Sequence, residues 1–446
     1  MIYTSGGRNI LLTKLNRIKK RSSELPNTVF TSVGHLINEE MLMLCHHELK
    51  ANKATGIDGV TKAQYDVNLE SNVHELVNKL KRKAYRPTPV KRIYITKADG
   101  KSQRPLGIPV YEDKIVQLAL KKIMEAIFEP HFLDLSYGFR PGRSAHDALR
   151  ELALTIERHK VNYIVDADIK GFFDTVDHNI LLLCIQKRIK DPNILRLVIR
   201  FLKSGIMEDD EWKPTTKGTS QGSILSPLLG NIYLHYALDL WFKIAVKANM
   251  RGEAYLIRYA DDFVVAFQYS LDAENFYKAL QHQLAKFSLS LQKEKSKIIE
   301  FGRFAAQDKK SLGESKPDTF DFLGFTHYCS KSKNDKFRVK RKTSRKKFNR
   351  SVKEFNHWMK THRNLKRQLL MKIITIKLNG YYRYYGITDN STMMGKYLNE
   401  IKKLLFKWLN RRSQRKSFNF DQFNLYLKRF PLPYPKIYFN IYAKKT

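Results

Sequence analysis

Cysteine is scarce in this sequence: three residues in 446, Cys45, Cys184 and Cys329, lie far apart and share no CxxC spacing. That excludes a disulfide framework and a zinc ligand set, and it fits a reducing, cytoplasmic setting. Long apolar runs are missing too. No stretch of about 18 apolar residues occurs, so nothing reads as a bilayer span and no membrane partner is expected. The opening residues, Met1 to Ile10, lack the apolar stretch of a secretory signal. Internal repeats and long low-complexity tracts are not evident. Acidic residues are outnumbered: 43 Asp and Glu stand against 81 Lys and Arg, a net charge of +38.

Hydrophobic residues make up 43% of the chain and aromatic ones 12%, enough to bury a core across two or three domains. The positive field attracts polyanions and repels other copies of the chain, which leaves the oligomeric state open. Its distribution favours nucleic acid over an anionic membrane surface. From Lys331 to Thr446 there are 32 basic and 5 acidic residues, so most of the excess lies at the C-terminal end. There the basic residues are interleaved with Tyr381, Tyr382, Tyr384, Tyr385, Phe406 and Trp408. Basic groups hold phosphates, while aromatic rings stack on bases or fill a core.

The first fifty residues read as helical, and Ala54 to Val60 as a glycine-marked loop. Alternation in Arg92-Ile93-Tyr94-Ile95-Thr96 predicts a strand, and Asp113 is placed to cap a helix that ends before Pro130. Helix and strand then alternate irregularly to about Phe325, with a polar loop expected over Ala305 to Thr319. Beyond Lys331, Leu365, Leu369, Ile373 and Ile376 recur at helical spacing, as do Leu398, Ile401, Leu405, Trp408 and Leu409. Such stripes are core. The expected layout is an α+β catalytic unit followed by a basic helical domain.

Two segments carry carboxylates that a sheet can bring together. Tyr163-Ile-Val-Asp-Ala-Asp168-Ile-Lys-Gly is an apolar strand ending in Asp168 and entering a glycine-containing turn. Leu256-Ile-Arg-Tyr259-Ala-Asp261-Asp262-Phe-Val-Val is a pair of β-rich runs flanking an acidic turn. Taken alone, each is ordinary capping or turn chemistry. Taken together they propose a divalent-metal site: adjacent carboxylates are costly unless a cation neutralises them, and hard oxygens suit Mg²⁺. Three carboxylates on two ions suit in-line phosphoryl transfer.

These segments resemble the palm active site of reverse transcriptases, whose best-known mark is Tyr-Ala-Asp-Asp, and the remaining motifs follow in order. Lys97 and Arg104 lie in a segment similar to the fingers of group II intron reverse transcriptases, where two cations grip the incoming triphosphate; the loop between them is one residue longer than is common. Ser136-Tyr-Gly-Phe-Arg140-Pro-Gly-Arg143 resembles the template-side Gly-Phe-Arg-Pro-Gly-Arg stretch. Gly218-Thr-Ser-Gln221-Gly222 resembles the Pro-Gln-Gly loop of the nucleotide pocket, with Ser220 in place of proline. Phe173 matches the bulky position that excludes a ribose 2′-hydroxyl. Lys295 matches a lysine near the leaving pyrophosphate, and Leu323 and Gly324 lie in a primer-holding hairpin. Arg411, Arg412 and Arg415 fall in a segment similar to the thumb, or maturase, domain of bacterial group II intron proteins.

The resemblance implies a right-hand polymerase: an N-terminal helical extension over 1–54, fingers and palm with an antiparallel sheet over 55–330, and a basic helical thumb/maturase domain over 331–446. It implies an RNA-directed DNA polymerase with two Mg²⁺ (or Mn²⁺) ions held by Asp168, Asp261, Asp262 and the carbonyl of Ile169. Deoxynucleoside triphosphates, an RNA template, a DNA primer or target and the parent group II intron RNA are the implied partners. Cys or His-Asn-His clusters of an endonuclease domain are not found, so that activity is not expected. A domesticated antiviral or CRISPR-associated enzyme, and an RNA-binding splicing chaperone, stand as the alternatives.

Overall fold

The computed structural model describes residues 5–96, 103–307, 317–332, 334–412 and 417–443. Three sheets organise it. The first contains β1 (Val90–Thr96), β2 (Gln103–Ile108), β4 (Ile206–Glu208) and β5 (Glu211–Lys213) in the order β2-β1-β4-β5. The second contains β3 (Tyr163–Asp168), β6 (Ala254–Tyr259), β7 (Asp262–Phe267) and β8 (Lys297–Glu300) in the order β6-β7-β3-β8, with every pairing antiparallel. The third contains β9 (Phe320–Phe322), β10 (Phe325–Lys331) and β11 (Phe337–Thr343).

The second sheet is buried on both faces, and the alternation of its strands shows why. Val165, Ala167, Phe263, Val265 and Phe267 join one core, shared with the helices Glu39–Glu48 and Tyr111–Phe128. Ile164, Val264, Ala266 and Ile257 join another, with the helices Ala145–Arg158, Arg367–Tyr385 and Ser391–Leu409. The helix Ser5–Glu24 belongs to the first core through Leu11 and Leu15, and Ser22 donates to the Ile127 carbonyl at 2.7 Å. This is the α+β layout of fingers, palm and helical thumb.

Two local expectations need correction. The helix Tyr111–Phe128 starts from Val110, not from a cap by Asp113. The Asp113 carboxylate turns inward, accepting from the Tyr85 hydroxyl and from the Thr88 N–H. In Arg367–Tyr385 the buried face is Leu370, Met371, Ile374, Leu378, Tyr381, Tyr382 and Tyr385. Leu369 and Ile376 are exposed, so the apolar stripe runs one position further along than the Leu365 spacing suggests. The C-terminal aromatics mostly fill this core: Tyr381 stacks on Tyr397 with ring centres 3.7 Å apart. Residue 331 ends β10 in the β10–β11 hairpin, and the long C-terminal helices begin after Ser344, which caps Arg345–His362.

Candidate active site

The register of β3 and β7 builds the site. Asp168 is the cross-strand partner of Asp262, and Asp166 that of Val264. Directly opposed side chains lie about 5 Å apart at Cβ, so two carboxylates separated by 94 positions in the chain become neighbours. Asp261 occupies the turn between β6 and β7 after Ala260, which takes the left-handed conformation at φ 57°. The strand continues past Asp168 as a bridge between Ile169 and Leu291. That bridge uses the Asp168 carbonyl and the Lys170 N–H, so the Ile169 carbonyl takes no part in it.

The electrostatics follow from this crowding. Asp262 is exposed at the mouth of the turn, with the other carboxylates crowded beside it. Burial first, then the charges of Asp166, Asp261 and Asp168, push it up to about 7. Asp261 is raised by burial and by Asp168, with Arg104 and Arg258 opposing. Burial also pushes Asp166 up to about 6. Lys295 pairs with Asp168 at 3.2 Å, as a solvent-exposed contact. Among the described residues, no three His, Cys, Asp or Glu side chains already enclose an ion-sized space. The fit to a divalent cation rests on the donor chemistry: hard oxygens on a strand end and an adjoining turn, in a carboxylate excess that raises their own proton affinity.

A second group of residues gathers beside the carboxylates. Gly171, at φ 54°, turns the chain into Phe172–Thr175, which leaves Phe172 buried and Phe173 half-buried. The Thr219 N–H donates to the Phe173 carbonyl at 2.7 Å, and the Gly107 N–H to the Gln221 carbonyl at 2.6 Å. Gly222 sits at φ 108°, and a Cβ there would come within 2.8 Å of the Gly107 carbonyl oxygen. The loop 218–222 is thereby stitched to Phe173 on one side and to β2 on the other. Arg104 is exposed on β2 opposite Ile95. Lys97 lies outside the described residues.

The β9–β10 turn places Leu323 and Gly324 at φ 49° and 80°. Two positive φ values in a two-residue hairpin loop make a type I′ turn, which matches the twist of the strands it joins. The Tyr384 hydroxyl donates to the Leu323 carbonyl at 2.8 Å, and Lys347 packs against Gly324. Lys347 was not foreseen from sequence; its ammonium is pushed down by burial and by neighbouring cations, with Asp262 opposing. It follows Asp262 by 85 positions, so no local spacing announces it. Asp166 was legible as the residue two before Asp168, on the same strand face. A cleft of about 810 Å³ opens beside Asp166, with Lys295, Lys297, Arg345 and Lys346 among its walls.

The arginines expected at nucleic acid differ in how far their donors are already engaged within the protein. Arg140 is buried, and its five N–H groups go to Glu129 and to the carbonyls of Phe132, Leu133 and Ser136, so none is left for a phosphate. Arg143 pairs with the exposed Asp134 and lies over the Tyr137 ring. Arg411 is exposed beside the Trp408 ring, whereas Arg412 donates to the Leu365 carbonyl at 3.0 Å. Arg415 lies outside the described residues.

The profile of the reverse transcriptase (RNA-dependent DNA polymerase) family matches residues 95–327, and its span holds all of the carboxylates above. The chain belongs to the reverse transcriptase family. Proteins of that family generally use divalent metal ions. Among curated relatives, the group II intron-encoded protein LtrA of Lactococcus lactis is 42% identical over 224 residues, 50% of this chain and 37% of LtrA. An uncharacterized 91 kDa protein in the cob intron of Schizosaccharomyces pombe is 36% identical over 234 residues, 52% of this chain and 29% of that protein. Nuclear intron maturase 1 of Arabidopsis thaliana is 35% identical over 97 residues, 21% of this chain and 13% of the maturase. The chain spans about a third of the length of the first two relatives. Among the described residues no helix is long and apolar enough to cross a membrane.

Proposed function

We propose that this reverse transcriptase copies RNA into DNA with a two-metal site built from Asp168, Asp261, Asp262 and the Ile169 carbonyl. The observation that carries the reading is the Asp168–Asp262 register at the end of a sheet buried on both faces, with Asp261 on the adjoining turn. Mg²⁺, with Mn²⁺ as a substitute, would supply there a lowered pKa for the primer 3′-hydroxyl and charge neutralisation on the leaving pyrophosphate.

The protein's own groups do the rest. Arg104, together with Lys97, grips the triphosphate of the incoming deoxynucleotide. Gln221 and Gly222 line its pocket, and the Phe173 ring fills the space a 2′-hydroxyl would need. Lys295, beside Asp168, is positioned to donate a proton to pyrophosphate. The Leu323-Gly324 turn and Lys347 face the primer strand, and the basic cleft walls hold backbone phosphates.

The C-terminal basic excess and the intron proteins among the relatives favour a second role, as a maturase that binds its parent group II intron RNA. They do not favour a domesticated enzyme. The fingers and palm would span residues 55–330 and the thumb 331–446, in the reducing cytoplasm that three unpaired thiols suit. The test replaces Asp261 and Asp262 with Ala and measures primer extension on an RNA template beside RNA affinity. Extension should vanish while RNA binding persists; full-length cDNA from the double variant would overturn the reading.

A further inference from the structure

The turn that carries Asp261 is anchored from behind by a side chain with no place in the chemistry above. Arg258, in β6, is completely buried. Its guanidinium makes a fork onto Asp239, Nε to Oδ1 at 2.7 Å and Nη2 to Oδ2 at 2.5 Å. Its Nη1 donates to the Ala260 carbonyl at 2.9 Å, inside the catalytic turn, and to Asn231 Oδ1 at 3.0 Å. Asn231 in turn donates to the Gly138 carbonyl at 2.8 Å. Gly138 lies so close to the turn that a Cβ there would meet the Ala260 nitrogen at 2.4 Å. The Ala260 peptide is thus held on one side by a glycine backbone and on the other by a guanidinium whose orientation is fixed by a fully buried carboxylate.

The helix supplying both Asn231 and Asp239 is irregular in a way that this clamp explains. The α-helix Ser226–Leu234 passes directly into a π-turn over His235–Asp239, in which the Leu240 N–H bonds to the His235 carbonyl. In an uninterrupted α-helix, at about 100° per residue, positions eight apart diverge by about 80°. A π-turn accommodates one extra residue, which brings such positions back to within about 20° of one another. Without it, Asp239 would point away from the side where Asn231 meets Arg258. The π-turn rotates the acid onto the guanidinium.

We infer that Arg258, Asp239 and Asn231 form a positioning device for the Tyr259–Asp262 turn, and that the π-turn exists to complete it. Arg258 is a positioning residue: it acts through the Ala260 carbonyl on where Asp261 stands. The inference deepens the polymerase reading, but its decisive measurement does not depend on polymerisation. In full-length Asp239→Asn, hydrogen exchange of the peptide covering residues 258–262 should quicken about tenfold, with exchange in the helix Arg367–Tyr385 unchanged. In single-turnover primer extension the same variant should lose about 100-fold in rate, because a small displacement of a reacting group is that costly. The deoxynucleotide KM should move less than about threefold, and the Mg²⁺ concentration for half-maximal rate should rise. Asn231→Ala keeps the buried ion pair and should show the same pattern more weakly; it decides the matter if Asp239→Asn does not fold. Unchanged exchange at 258–262 in a folded variant overturns the inference, and so does a rate loss shared equally by an unrelated variant of matched stability. Faster exchange without loss of polymerisation would leave the clamp real but refute its role in placing Asp261.

Discussion

Asp168 and Asp262 face each other across β3 and β7, and the same face of β3 carries Asp166 one pleat further back. Three carboxylates along one sheet face, with Asp261 beside them, are met by Lys295, Lys297, Arg104 and Lys347. The surrounding loops and cations are arranged around that acidic cluster.

Phe173 packs against Gly230, where a Cβ would come within 3.2 Å of its ring, and edge-to-face against Phe172 with ring centres 5.1 Å apart. Phe173→Ala should raise ribonucleotide incorporation relative to deoxynucleotide on the same template. Steady-state kinetics with matched pairs of triphosphates check it. Unchanged discrimination in an active variant would return Phe173 to a packing role.

Gly222 occupies a conformation that side chains rarely adopt, and its Cβ would press on the Gly107 carbonyl. Gly222→Ala should cost about 1–3 kcal/mol of strain. Because the strain falls where the loop joins β2, the deoxynucleotide KM should rise before global stability fails. A variant with normal KM and a normal melting temperature would show that the loop shifts freely.

Asp113 is buried, and burial raises its carboxyl from 3.8 to about 7 against the opposing hydrogen bonds from Tyr85 and Thr88. The folded chain therefore holds this proton to higher pH than the unfolded chain does. Its contribution is complete below about pH 4, declines as pH rises, and is gone above about pH 7. The linked change is about 4 kcal/mol at most. Urea midpoints measured from pH 4 to 7 should fall more steeply for the parent than for Asp113→Asn; parallel curves would contradict the assignment.

Arg411 and Arg412 are adjacent but should behave differently. Arg411→Glu should flatten the log–log salt dependence of RNA binding by roughly 0.7–0.9 if it contacts one phosphate. Arg412, bonded to the Leu365 carbonyl with its Nε enclosed, should lose stability when reversed. Equal effects of both on the salt slope, with no change in melting, would place both arginines on the RNA.

The clustering of Asp168, Asp261 and Asp262 was legible in the sequence because their motifs are local: a strand end and a two-residue acidic turn each announce themselves within a few positions. The closeness of Phe173 to the loop bearing Gln221 and Gly222 was not, since it rests on the Thr219 bond to the Phe173 carbonyl. What escaped depends on partners far along the chain. Lys347 and Asp239 look like ordinary helix residues until the fold brings them to Asp262 and Arg258. For Arg140 the sequence shows an arginine beside glycines, and only the fold shows its carbonyl and Glu129 acceptors. The stripe in Arg367–Tyr385 was misphased because leucine and isoleucine occur on both sides of that helix, and burial alone distinguishes them.

The sheet bearing Asp168 and Asp262 is a party wall between two rooms, and neither room can be demolished separately. A fragment cut after residue 330 would keep every motif of the proposed nucleotide pocket. It would also strip β11 from β10 and remove the C-terminal helices from the core that Ile164, Val264 and Ala266 share with Ala145–Arg158. The tether from His146 to the Tyr384 carbonyl, 2.7 Å long, and that from Tyr442 to Glu157 would go with it. For anyone trimming this enzyme to a minimal polymerase, the severable parts are surface loops. The basic helices are masonry of the sheet that bears Asp168 and Asp262 as well as, on the proposed reading, a surface for RNA, so selection on either duty constrains the other.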